Sequence, residues 1–196
     1  MREEKRELIK ATALKLFSEK GFHSVSIRDI SRSANIAQGL MYNYFESKEN
    51  LLVNILEDFM KTAGALINPV DDDEITSEEM NSYFDLLIES MKTRRDYWIV
   101  IFQLTMQKDV TSLIFSKKST QEIFGRFMHL VVKYFEERFE NPQEELLLFR
   151  SVIKGLSLIL VLTPEMCSDE LTDTFKIRLK KMFVKPKLIN PGNKAD

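Results

Sequence analysis

Cysteine is almost missing from this 196-residue chain, where Cys167 stands alone. No intrachain disulfide can form, which fits a reducing, cytoplasmic setting in which the residue is a lone buried thiol. Histidine is nearly as scarce. With only His23 and His129, and neither HExxH nor paired cysteines, the chain lacks the ligand clusters of a metal centre, so no metal and no cofactor are expected. The six glycines form no phosphate-cradling loop, and no Ser/His/Asp spacing appears. No catalytic residue is assigned and an enzyme is not expected. There is no run near the ~18 apolar residues a membrane span needs. The most apolar stretch, Leu156 to Leu162, is too short, and the start carries no charged-then-apolar leader. Alternating strand patterns and Asn-Gly hairpins are absent too, so β-structure finds no support. The formal net charge of −2 argues against a nonspecific nucleic-acid coat protein, which would be strongly basic.

Helical periodicity dominates what remains. Apolar content of 44% and charged content of 30% are ordinary for a protein with a water-facing surface and a substantial core. The patterns predict an all-α fold of about nine helices. In the first, Leu8, Thr12, Ala13, Leu16 and Phe17 share a face and Gly21 ends the helix as a left-handed cap. Ser26 and Asp29 have capping-box spacing for a helix over about Ile27 to Ser33. Asn35 suits a left-handed turn, with Ile36 as an apolar plug behind it. A short helix over Gln38 to Asn43 follows, anchored by Met41 and Phe45. Ser47 then caps a helix on which Leu51, Leu52, Ile55, Leu56 and Phe59 recur at helical spacing.

That succession is a helix-turn-helix with a supporting helix behind it. Gln38, Gly39, Leu40, Tyr42 and Asn43, with Tyr44 at the end, are left for the outer face of the short helix. Gln and Asn can pair bidentately with adenine, Gly lets the backbone approach, and Tyr hydroxyls and Lys48 can bind phosphates, so the face suits a major groove. A plain three-helix bundle with a solvated polar face would show the same composition. Residues 1–50 hold nine Lys or Arg against seven acids, a small basic excess located where the motif is. Lys5 and Arg6 can either reach the DNA backbone or lie in a solvated terminus.

From Ile9 onward the chain closely resembles the amino-terminal domain of TetR/AcrR-type transcriptional regulators. The family pattern of an amphipathic helix ending LF-x-E-x-G-F, then T/S-x-x-x-I-A, then G-x-x-Y-x-Y/H-F-x-x-K-E-x-L, is met by Leu16-Phe17, Glu19, Gly21-Phe22, Ser26, Ile30, Gly39, Tyr42, Tyr44-Phe45, Lys48-Glu49 and Leu51. Two departures from it matter. Asn35 stands where the family usually has Gly, and Ala37, which cannot cap, stands where Ser or Thr is frequent. The candidate DNA-contacting set is Ser26, Arg28, Ala37, Gln38, Gly39, Tyr42, Asn43, Tyr44 and Lys48. The resemblance implies a homodimer that holds double-stranded operator DNA, and a divergent helical second domain that binds a small-molecule effector.

The expected division is a helix-turn-helix domain over 1–50, a helical ligand-binding and dimerisation domain over 51–185, and a disordered tail over 186–196. Pro69 and the acidic run Asp71 to Glu74 break the supporting helix near Ile67, most simply as a solvated loop. Thr76 and Glu79 open a helix to about Arg95. Further helices cover Asp96 to Lys108, Thr120 to Phe139, Gln143 to Leu162 and Ser168 or Asp169 to Phe183, with an irregular or short-helical piece around Leu113 to Phe115. Ten of the 14 phenylalanines follow residue 70. With the methionines they either fill a core or surround a pliable cavity for an apolar or amphipathic effector, for which Trp98, Phe102, Met106, Phe127 and His129 are candidates. Leu148, Val152, Gly155, Ile159 and Leu162 form one stripe, and Leu171, Phe175, Leu179 and Met182 another. Such stripes close a monomer core or pair with a second copy. The resemblance favours pairing and makes Val152, Gly155, Ile159, Leu171, Phe175 and Leu179 the candidate dimer contacts.

A ligand-responsive regulator, a repressor, is the leading expectation. A helical small-molecule or lipid carrier without DNA binding is the competitor from another class, and the exposed Gln38, Tyr42, Asn43 and Lys48 set is the feature a carrier has no reason to keep.

Overall fold

The computed structural model describes residues 2–64 and 74–188. Among these, secondary structure is helical throughout: α1 (Arg2–Lys20), α2 (Ile27–Ser33), α3 (Gln38–Met41), α4 (Lys48–Gly64), α5 (Ser77–Thr93), α6 (Arg95–Thr105), α7 (Lys108–Phe115), α8 (Lys118–Arg138), α9 (Pro142–Leu162) and α10 (Asp169–Phe183), with a 3-10 turn over Pro164–Met166. The helix beyond the expected nine is α7, whose segment reads as irregular or short-helical in the sequence. Pro69 and Asp71 to Asp73 lie outside the described residues.

The chain forms two compact units, one of residues 1–62 and 94–123, the other of 63–93 and 124–196. The first unit is built on α1, where Ile9, Ala13, Leu16 and Phe17 are buried at helical spacing. Leu8, expected on that face, is instead 47% exposed, because it lies at the outer edge of the stripe. Gly21 ends α1 at φ +80, its N–H donating to the Phe17 carbonyl at 2.9 Å. The core continues through Phe22, Val25, Ile30, Met41 and Phe45 to Leu51, Leu52, Ile55 and Leu56 of α4, and takes in Val100, Leu104 and Ile114 from α6 and α7. A core drawn from residues 1–50 alone would bury too little apolar surface to be robust, and α4, α6 and α7 supply the remainder.

Polar ties fix α1 to its neighbours. Lys10, almost wholly buried, pairs with Glu7 and with Asp58. Burial pulls its ammonium pKa down, but the hydrogen bonds to Asp58 and Glu7 more than offset that and hold it above the ordinary lysine value. Ser18 Oγ donates to Asp96 Oδ1 at 2.9 Å, and Gln103 Nε2 donates to the Ser18 carbonyl at 3.1 Å.

In the second unit, Thr76 and Glu79 form the expected capping box of α5, and Ser168 caps α10 by accepting from the Leu171 N–H. Phe84, Phe135, Phe149 and Phe183 pack ring on ring, with centroids 5.3 to 6.3 Å apart. These four are buried and fill a core. Lys180 Nζ binds both oxygens of Asp85 at 2.7 Å, joining α10 to α5.

The disordered tail expected from residue 186 is corrected for its first part. Lys185 N–H donates to the Tyr134 hydroxyl at 3.1 Å, Ser77 Oγ donates to the Lys185 carbonyl at 2.7 Å, and Leu188 N–H donates to the Glu137 carbonyl at 2.9 Å. Lys187 pairs with Glu74 and Glu137, and the buried Arg138 joins the same carboxylates. Each backbone group so satisfied holds residues 185–188 as a strap. The hydrogen bond from Lys187 is also the main reason the Glu74 carboxyl is held below its usual range.

Candidate nucleic-acid interface

Three local features of the sequence set the geometry of the helix-turn-helix. The Asp29 N–H donates to Ser26 Oγ at 3.2 Å while the Ser26 N–H donates to Asp29 Oδ2 at 2.9 Å, closing the capping box that starts α2. The Ser26 hydroxyl and backbone donors hold the Asp29 carboxyl below the usual carboxylate range. Asn35 takes φ +52, the left-handed turn expected of it, and the Ile36 N–H reaches back to the Ser31 carbonyl at 3.0 Å. Ala37 gives α3 no side-chain cap. The single turn of α3 is therefore held from beneath, by Met41 and Phe45 buried in the core of the first unit.

With those anchors fixed, Gln38, Gly39, Tyr42 and Asn43 all face outward, and Tyr42 is 55% exposed. The helix expected over Gln38 to Asn43 ends at Met41, so Gln38 and Gly39 lie on α3 and Tyr42 and Asn43 in the turn after it, and the four together form one polar, hydrogen-bonding surface. A Cβ built on Gly39 meets nothing within 4 Å, so nothing in the chain itself requires glycine there. Ser26, Arg28 and Ala37 are exposed as well, although the Ser26 hydroxyl is committed to its cap. Tyr44 is half-buried and packs against the core.

Lys48 is placed differently from the expectation that it reaches outward for phosphate. Its ammonium donates to the Phe22 carbonyl at 2.9 Å and the Val25 carbonyl at 2.8 Å, and lies 4.3 Å from the centre of the Phe22 ring. Arg6 is engaged too, bonded to Asn54 and stacked 5.1 Å above the Phe45 ring, whereas Lys5 is exposed. Sequence spacing carries no signal for either contact, since both join residues far apart in the chain.

Among the effector candidates, Trp98, Phe102 and Met106 belong to the first unit, and Phe127 and His129 to the second. Trp98 and Phe102 are half-buried, and Trp98 meets the Phe59 ring edge-on at 5.4 Å. Met106, at the carboxyl end of α6, is 86% exposed, and His129 points from the outer side of α8, so neither is enclosed. Phe127 is half-buried with its ring 6.1 Å from that of Tyr83. Tyr83 escapes the sequence pattern, having nothing to distinguish it from any core aromatic. Burial pushes its hydroxyl pKa far above the ordinary tyrosine value and keeps it a neutral donor.

On α9, Leu148, Gly155, Ile159 and Leu162 are exposed and Val152 is half-buried. On α10, Leu171, Phe175 and Met182 are exposed. Leu179 is the correction. At 1% exposure it belongs to the core of the second unit, because the spacing of four that joins Phe175 to Leu179 carries the drifting helical stripe inward. No group of three or more His, Cys, Asp or Glu capable of holding a metal occurs among the described residues. No helix among them is long and apolar enough to cross a membrane.

The comparisons with known proteins agree with this geometry. Residues 9–55 match the family model for bacterial regulatory proteins of the tetR family. The chain is similar to the HTH-type transcriptional regulator UidR of Escherichia coli (strain K12), 32% identical over 132 residues that cover 67% of this chain and 50% of the relative. It is also similar to the uncharacterized HTH-type transcriptional regulator YuxN of Bacillus subtilis (strain 168), 31% identical over 60% of this chain and 39% of the relative. The chain thus spans half or less of these curated relatives. Among solved structures, the fatty acid degradation regulator FadR from Bacillus halodurans superposes with a TM-score of 0.68 at 17% identity, covering 98% of this chain and 97% of that one. Salmonella enterica GusR gives 0.67 at 15% identity, covering 92% and 95%. At those identities the likeness is one of fold. The class that the fold defines is an all-helical helix-turn-helix fold. Residues 9–55 form a domain of the kind found in bacterial regulatory proteins of the tetR family.

Proposed function

We propose that this protein is a transcriptional repressor that binds a near-palindromic operator as a homodimer and leaves it when a small apolar or amphipathic effector binds. The observation that carries the DNA half of this reading is the outward set Gln38, Gly39, Tyr42 and Asn43 above the buried Met41 and Phe45. A carrier would have no use for it. Dimerisation is supported by exposed apolar side chains on α9 and α10, among them Leu148, Ile159, Leu162, Leu171 and Phe175, a quantity of apolar surface that favours a covered face. An isologous pair presents its two α3 helices to successive major grooves, so the half-sites lie about one DNA turn apart or a multiple of it.

Within the second unit, the half-buried Phe127 suits the apolar body of an effector. A coupling of ~1–3 kcal/mol between effector and DNA gives a 5- to 150-fold change in affinity. The setting is the cytoplasm, where the DNA is. Selection of bound duplexes from a random pool tests the reading: an inverted repeat should emerge, whereas recovery of no common sequence would refute it.

A further inference from the structure

We infer that Lys48 is a positioning residue that closes the helix-turn-helix on itself, and that its contribution to operator recognition runs through the α1–α2 connection and not through a phosphate. The inference rests on the regulator reading and adds a role for one residue within it.

The two carbonyls that Lys48 binds belong to Phe22 and Val25, the residues just before the Ser26 cap of α2. Lys48 itself is the first residue of α4, just after the turn that follows α3. Its side chain therefore ties the entry of the helix-turn-helix to its exit, across 26 and 23 positions of sequence. Two of the three ammonium donors are used on carbonyls, and the charge sits over the Phe22 ring, whose own edge contact with Phe17 roots it in the core. Bonds from a charged donor are stronger than neutral ones, so this is a firm polar link between the two ends. By contrast, α3 is one turn long and lacks a side-chain cap, so its aim depends on what holds its flanks.

Loss of the link lets the entry segment and the α2 cap move relative to α4. Such motion blurs the aim of α3, which costs base discrimination, while the number of neutralised phosphates stays the same. A direct phosphate contact has the opposite signature: a smaller salt slope with discrimination intact. A role in stability alone would leave both unchanged in the folded protein.

The test uses the full chain with Lys48→Met, and the milder Lys48→Gln should the first not fold. Without DNA, amide hydrogen exchange at Val25, Asp29 and Ile30 should speed up by about tenfold relative to the wild type, while amides in the middle of α4 are unchanged. With DNA, the ratio of operator to random-duplex affinity should fall by about tenfold at an unchanged slope of log affinity against log salt. Exchange at those three amides as slow as in the wild type would overturn the inference. So would a slope reduced by about one unit per half-site with the ratio intact, or a ratio and slope both unchanged. If the wild type shows no preference for any duplex, the regulator reading fails, and the exchange measurement alone still decides whether Lys48 is the link.

Discussion

Gly155→Leu should stabilise the folded chain and at the same time weaken the proposed dimer. The residue lies inside α9, exposed, and a Cβ built on it meets nothing within 4 Å. Within one chain the added side chain therefore has free space. Replacing an interior helical glycine with a good helix former contributes ~0.7 kcal/mol to the fold. At the proposed interface the sign reverses. Leu148, Val152, Ile159 and Leu162 continue the stripe on either side, and two helices packing across it approach to about 8–10 Å. A leucine forced into such a contact costs ~1–3 kcal/mol, and two-fold symmetry imposes that cost twice. The dissociation constant should rise from about thirty-fold to over ten-thousand-fold. Sedimentation velocity over a concentration series reads the association, with circular dichroism to verify helix content. An unchanged dissociation constant with intact operator binding would refute the placement of the interface on this stripe and leave Leu171, Phe175 and Met182 to be tested.

Gln38→Ala should relax preference at one base pair per half-site, at ~1–3 kcal/mol for the lost contact, as read from the sequences the variant selects; a wild-type pattern would mean that Gln38 reads no base. Leu179→Ala should destabilise the fold by ~2–5 kcal/mol in urea unfolding, whereas Phe175→Ala, on the exposed side of the same helix, should change it little. Asp29 has a lowered pKa in the fold, so its contribution is complete above the unfolded carboxylate value of about 3.9 and is lost as pH falls through the lower folded value. Asp29→Asn should lower stability at neutral pH and flatten the acid limb of the stability profile, and an acid limb as steep as the wild type's would contradict the cap assignment.

Local chemistry is the part of this fold that sequence discloses. Ser26-x-x-Asp29, Thr76-x-x-Glu79, Asn35 and Gly21 each act on backbone within a few residues, and each is found in its expected role. The outward face of α3 is legible for the same reason, once Met41 and Phe45 are recognised as its anchors. What escapes is set by long-range packing. Leu8 and Leu179 are both leucines in apolar stripes, yet only the neighbours brought in by other helices decide that one is exposed and the other buried. Lys48 matches a phosphate-binding pattern by identity and position, while its actual partners are carbonyls more than twenty residues away. The strap at 185–188 has the composition of a frayed tail and is held by Tyr134, Ser77 and Glu137. Met106 and His129 fail as enclosed ligand contacts because helical spacing alone does not tell which side of α6 or α8 is covered.

The central claim is that the outer face of α3 reads duplex DNA through the major groove. Dimethyl sulfate probing of a selected duplex tests it directly, since the reagent marks guanine N7 in the major groove and adenine N3 in the minor groove. Bound protein should protect guanine N7 in two blocks separated by a whole number of helical turns, and Gln38→Ala should weaken that protection. Protection confined to adenine N3, or none at saturating protein, would contradict the account.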